Sequence, residues 1–279
     1  MPLTGDVDRA LDEAAAALAD ADGLLVAAGA GMGVDSGLPD FRGNQGFWRA
    51  YPPYQKLGVS FVDMANPQHF ADDPAFAWGF YGHRRNLYRE TMPHDGFAGL
   101  QQLAGRMPAG AAVFTSNVDG QFQKAGFADT LVAECHGSIH VEQCLRGCGA
   151  GLFAAPTQTL VVETSTMRAQ GWLPTCPGCG EVSRPNILMF GDWGWDDTLV
   201  RKQEARVSSW LQAVERLVVV ELGAGTAIPS VRFFAEDVAR RGGVLVRVNP
   251  REAQVPSWGR CVSVPLGAQE AVAALVARM

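Results

Sequence analysis

"GLLVAAGAGMGVDSGLPDFRG", residues 23–43, starts like a nucleotide-binding strand and loop and then leaves that pattern. Leu24 to Ala28 is a short apolar run of the kind a buried parallel strand needs. Gly29, Gly31 and Gly33 follow at once, where small residues let backbone approach a phosphate. A dinucleotide fingerprint would put its third glycine at position 34, open a helix and reach a ribose-binding acid about twenty residues later. Val34 stands there instead, and the chain runs into Gly37-Leu38-Pro39-Asp40-Phe41-Arg42. A glycine loop followed by a proline-stiffened acid, an aromatic and an arginine asks for a different cofactor chemistry.

Outward from this stretch, apolar runs rich in β-branched residues recur at Ala111–Thr115, Thr130–Ala133, Leu217–Leu222, Val244–Val248 and Val262–Val264. Helical patterns lie between them, as at 73–90 and 229–243. Strands alternating with helices predict an α/β protein with a Rossmann-like parallel sheet. The polar residues gather just after the strands: "SNVDGQ", "ECHGS", "GAGT" and "NPRE". Open α/β sheets bind ligands beyond the carboxyl ends of their strands, so these segments converge on one crevice. Residues 138–186 break the alternation. The sequence thus divides into a Rossmann-like unit (1–43, 101–137 and 187–279), a cofactor-loop and small helical module (44–100), and an inserted zinc-ribbon module (138–186).

Four of the six cysteines are grouped, Cys144 and Cys148 as C-x3-C, Cys176 and Cys179 as C-x2-C. Each pair sits beside glycine, which suits the tight knuckles that aim thiolates at one ion. In a reducing compartment this is a four-thiolate zinc site sooner than a disulfide framework or two unrelated pairs of buried thiols. Cys135 and Cys261 read as packing residues. A formal charge of −6 argues against broad binding to nucleic acid or acidic membranes. No run approaches the roughly eighteen apolar residues of a membrane span, and the acid-bearing N-terminus lacks a basic leader region. A cytoplasmic protein is the expectation.

Taken in order, these motifs resemble the sirtuin family of NAD-dependent protein lysine deacylases over nearly the whole chain. Gly29-Ala30-Gly31 and the Gly37–Arg42 run resemble its glycine loop and PDFR element. Thr115-Ser116-Asn117-Val118-Asp119 resembles its T-Q-N-I-D segment, and His136-Gly137 its catalytic histidine motif. The cysteine pairs match its zinc ribbon. Arg184-Pro185 through Ile187, Leu188 and Phe190-Gly191-Asp192 resembles the segment that clamps the substrate lysine. Gly223, Gly225, Thr226 and Asn249 fall where the family holds phosphate and adenosine ribose. The resemblance implies NAD and one structural zinc, acyl-lysine proteins or peptides as substrates, and release of nicotinamide and acyl-ADP-ribose.

Such chemistry suits these residue types. A fixed carboxyl such as Asp119 can hold the nicotinamide amide out of conjugation, Phe41 can keep water from a cationic ribose, and Arg42 can hold the phosphates. His136 suits a base titrating near neutral pH. Plainer readings stand beside these: Asp40 as a turn or helix cap, Phe41 as a core aromatic, Asn117 and Asp119 as a turn after a strand. His69, His83, His94 and His140 read as surface or packing residues. Gly33 and Ser116 depart from the family's serine and glutamine, and "GAGT" replaces "GTS", leaving the register of Gly225 and Thr226 open by one residue.

Tyr81 and Arg84 form a Y-x2-R pair on one helix face. The pair resembles the class III branch, where it implies binding of a succinyl, malonyl or glutaryl carboxylate. A solvated basic face is the plainer alternative. An ADP-ribosyltransferase, an NAD hydrolase and a non-catalytic NAD-binding sensor are the competing functions. His136 speaks against the sensor, and the apolar Ile187 and Leu188 favour a deacylase.

Overall fold

The structure, a computed structural model, describes residues 5–40 and 43–279; Phe41 and Arg42 lie outside the described residues. The strands β1 (Gly23–Ala28), β2 (Ala111–Thr115) and β3 (Val132–Glu134) come first. β4 (Gly137–Cys144), β5 (Leu152–Ala154), β6 (Val161–Glu163), β7 (Arg168–Gln170) and β8 (Ser183–Ile187) follow within the cysteine-bearing insertion. β9 (Leu217–Leu222), β10 (Val244–Val248) and β11 (Arg260–Val264) close the chain.

Six strands form one parallel sheet in the order β3-β2-β1-β9-β10-β11, with Val26 of β1 level with Val113 and Val220 on its two neighbours. Strand order reverses at β1, where an open α/β sheet leaves a crevice. All of β1 is buried because helices cover both faces. On one face, helices Gly5–Asp20, Asp95–Ala104 and Ala268–Val276 pack Leu11, Leu100 and Leu275 against Leu24, Val26 and Val220. On the other, helices Thr198–Ala213 and Ser230–Arg240 pack Val207 and Ala235 against Leu25, Ala27 and Val219. Odd and even strand residues thus serve different cores, as the pleat requires. The strand expected at Thr130–Ala133 begins later: Asp129–Leu131 is a single 3-10 turn, and pairing with β2 starts at Val132.

A second core lies beside the sheet. Helix Pro74–Glu90 starts where Asp73 accepts a hydrogen bond from the Phe76 amide and Pro74 takes the first turn. Its Phe80 meets Phe47, Tyr51 and Tyr54 edge-on. β5-β4-β8 form a small antiparallel sheet, but the β6–β7 hairpin packs elsewhere, on helix Pro74–Glu90 through Leu160, Met167 and Ala169. A Cβ at Gly79 would stand 1.8 Å from the Met167 carbonyl oxygen, so only glycine allows that approach. The β6–β7 hairpin is therefore built onto this helix. Arg85 pairs with Glu142 of β4 in full burial, and the Ser183 hydroxyl of β8 donates to the same carboxylate at 2.5 Å.

Candidate active site

The floor of the crevice is laced by backbone. The Gly29 amide donates to the Leu222 carbonyl, Gly31 to Gly223, and Gly223 to Val248, each at 3.0 Å. A Cβ at Gly223, whose φ is 61°, would lie 2.4 Å from the Gly31 carbonyl carbon. A Cβ at Gly29 would lie 2.7 Å from Ala224 Cα. One glycine in each of the two loops is thus demanded by loop-on-loop contact before any phosphate arrives. After Gly29 the chain makes a 3-10 helix, Ala30–Ser36, ended by Gly37 in the left-handed region. Gly31, Asp40, Gly223, Val248, Pro250 and Arg251 line a cleft above this crossing.

Asn249 is wholly buried, and its side chain shapes the loop after β10. It donates to the Ala224 carbonyl at 3.0 Å and accepts from the Arg251 and Glu252 amides. The Thr226 hydroxyl donates to Glu252 at 2.5 Å, joining the two glycine-side loops. Arg232, which the sequence did not mark, donates to the carbonyls of Ala224 and Glu252 from beneath.

On the other side of β1, the Thr115 hydroxyl and the Ser116 amide donate to the Ala28 carbonyl, and Asn117 Nδ2 donates to the Gly29 carbonyl at 3.1 Å. The Asn117 amide is therefore tied to the glycine loop. Asp119 is 8% exposed and accepts from the Gln121 amide at 3.0 Å. Burial pushes its carboxyl up to about 6, against the pull of Arg84. His140, read from sequence as a packing residue, donates from Nε2 to the Asp119 carbonyl at 3.0 Å and presses on Gly120. Glu134, at the end of the neighbouring β3, is held up to about 8 by burial and by the Asp119 charge.

His136 sits between β3 and β4. Its carbonyl accepts from the Leu188 amide at 2.9 Å, which brings the 187–192 segment alongside it. Burial draws the imidazole below its usual value. Ring Nε2 lies 3.3 Å from the Ser230 hydroxyl. Ile187 is buried in β8, whereas Leu188 and Phe190 are 41% and 38% exposed. Alternation along the chain separates the apolar pair, one side chain in the core and one at the surface. Arg184 grips Asp192 in two buried bonds of 2.6 and 2.8 Å, and Phe190 donates its amide to Ala65, so this segment is pinned at both ends.

Arg84 and Tyr81 are both buried on helix Pro74–Glu90. The Arg84 guanidinium lies over the rings of Phe80, Tyr81 and Tyr88 at 5.1, 5.9 and 5.3 Å and donates twice to the Tyr88 hydroxyl. The solvated-face alternative fails for Arg84. Gln121 Nε2 donates to the Tyr88 carbonyl, linking this cluster to the Asp119 loop.

The sulfur atoms of Cys144, Cys148, Cys176 and Cys179 all lie within 4.8 Å of one another, with Cys144–Cys179 and Cys148–Cys176 at 3.6 Å. Four thiolates on a tetrahedral zinc stand roughly 3.8 Å apart, given Zn–S bonds of about 2.3 Å. The donor set and spacing fit that ion and leave no position open for substrate.

The Sir2 family model matches residues 29–224. The chain is 30% identical over 229 residues to the NAD-dependent protein deacetylase of Saccharolobus solfataricus, covering 82% of this chain and 81% of that one. It is 29% identical over 239 residues to NAD-dependent protein deacylase 1 of Archaeoglobus fulgidus, covering 84% of each. A crystal structure of a Sir2 homologue–NAD complex superposes with a TM-score of 0.69 at 25% identity, over 94% of this chain and 91% of that chain. This chain belongs to the Sir2 family.

Proposed function

We propose that the protein is an NAD-dependent protein lysine deacylase. The observation that carries this reading is the placement of Asn117, Asp119 and His136 after the adjacent strands β2 and β3, with Asn117 bonded to the glycine loop whose crossing floors a cleft. When bound, NAD supplies a ribose carbon activated by loss of nicotinamide and a hydroxyl that takes the acyl group. Gly29, Ala30, Gly31, Asp40, Gly223, Gly225 and Thr226 would bound the phosphates, and Ser116 and Asn117 the nearby ribose. Asn249 would shape the adenosine end through the loop it organises. Asp119 would accept from the departing amide, and its raised pKa reflects the dry site that such a bond requires. His136, neutral at pH 7, would take the proton from the ribose hydroxyl. Ile187, Leu188 and Phe190 would border the acyl-lysine, and the roles of Phe41 and Arg42 rest on sequence alone. The four cysteines would hold one structural zinc, for which metal analysis of the fresh protein should find one equivalent per chain.

The acyl group removed would be acidic. A guanidinium caged by three aromatic rings, close enough to Asp119 to bear on its charge, suits a carboxylate on the acyl chain. One assay tests both statements: nicotinamide release with succinyl-peptide, acetyl-peptide or no peptide. Release should require peptide and run faster with succinyl, and Arg84→Met should lose that preference. Equal release without peptide would mark an NAD hydrolase instead, and an unchanged ratio in the variant would remove the acyl assignment.

A further inference from the structure

The imidazole of His136 has one side-chain partner among the described residues, and it comes from a distant part of the chain. Ser230 is the first residue of helix Ser230–Arg240, which runs beneath the sheet with Phe234 stacked on Phe114 of β2 at 3.7 Å. That packing fixes the helix relative to β2 and β3, and Pro229 before it sets the chain direction. The helix start therefore brings a hydroxyl to the ring by construction. The main chain of His136 is held separately, by Leu188, so the serine bond concerns the side chain alone.

Among the described residues no neighbouring charge shifts the ring, which burial alone does. Glu134 at the end of β3 meets Gln123, Ser138 and Gln203 and, among those residues, leaves its Oε1 unbonded. Glu204 of helix Thr198–Ala213 bears on Cys135. On helix Ser230–Arg240, Arg232 serves the Ala224 and Glu252 carbonyls, and Glu236 pairs with Arg247. Asp119 accepts from Gln121, and Arg184 beside β4 is taken by Asp192. The Ser230 hydroxyl is then the polar side chain left to orient the ring.

We propose that Ser230 is a positioning residue for His136, its hydroxyl donating to Nε2 and so fixing the imidazole with its proton on Nδ1. This rests on the reading of His136 as the base. With the proton on Nδ1 the lone pair is on Nε2, and the serine keeps it aimed until a substrate hydroxyl competes for it. A hydrogen bond to the neutral ring favours the neutral ring, in the same direction as burial.

The deciding measurement is an NMR titration of the histidine side chains, with the His136 resonance identified by its loss in His136→Asn. Ser230→Ala should raise the His136 midpoint by about half a unit to one unit, the size of one net hydrogen bond. Ser230→Thr, which keeps the hydroxyl, should return it. The helix N-terminus is present in all three proteins, so its effect cancels. With acylated peptide, Ser230→Ala should lower kcat about three- to tenfold, leave the KM for NAD unchanged and carry the acid limb of the pH profile upward. An unmoved or lowered midpoint overturns the proposal, as does a raised midpoint with kcat untouched. The titration needs no turnover, so a wild-type protein without deacylase activity would defeat the functional reading while leaving the hydrogen bond decided.

Discussion

The two sides of the crevice are built from different materials. On the sheet side, Gly29, Gly31, Gly223 and the ends of β9 and β10 are joined amide to carbonyl, and the side chains that matter are the ones missing. On the helical side, position depends on desolvated charge: Arg85 on Glu142, Arg184 on Asp192, Arg84 on Tyr88. The first construction fails by steric intrusion and the second by stranding an ion. One wall is thus held by backbone contact and the other by paired charge.

The contrast breaks hardest at Glu142. Glu142→Ala leaves Arg85 buried and charged, and removing one partner of such a pair costs about 3–5 kcal/mol. Chemical denaturation should show the loss, and replacing both partners by apolar residues should recover most of it. A Glu142→Ala protein within about 1 kcal/mol of wild type would show that the second wall does not depend on the pair.

Gly223→Ala probes the first wall. Left-handed backbone costs an alanine roughly 1–2 kcal/mol, and the clash with Gly31 must open the loop crossing as well. NAD affinity, read by calorimetry, should fall more than tenfold while the helical module stays folded. Unaltered affinity would mean that the crossing does not shape the cofactor site.

The smallest effect runs the other way. The Asp119 carboxyl has a folded pKa of about 6, above its ordinary value of 3.8, so the native state holds its proton more tightly. Its contribution favours folding at pH below about 4 and is lost as pH rises through about 6. Asp119→Asn removes that penalty and should stabilise the protein by about 1–3 kcal/mol at pH 8, with no gain at pH 4. Thermal melts at both pH values check this. Equal gains at both would sink the assignment to ionisation. The same variant should be a poor enzyme, the usual exchange of stability for a dry functional group.

The first wall was legible in the sequence because its signals are local. An apolar run, a glycine at its end and a polar cluster after it lie within ten residues, and the cysteine spacings are local too. Arg85–Glu142, Arg232 beneath Ala224, His140 on Asp119 and Ser230 on His136 join residues that the sequence gives no means of matching. Their partners are chosen by topology. The β6–β7 hairpin escaped for the same reason, since Gly79 and Met167 explain each other only once they touch. Phe41 and Arg42, prominent in the sequence, lie outside the described residues.

The central strand has a history as well as a place. β1 is apolar on both faces, yet β9, one of its two neighbours, is encoded roughly 190 residues later. At about 5–20 residues per second, a ribosome needs roughly 10–40 s to deliver that neighbour. Throughout this interval one edge of β1 lacks its pairing, and such an edge is a template for aggregation. Gly223, which closes over Gly31, arrives with the same late strand, and its amide bonds to Val248 of β10, so the crossing that floors the cleft is complete only once β10 has followed.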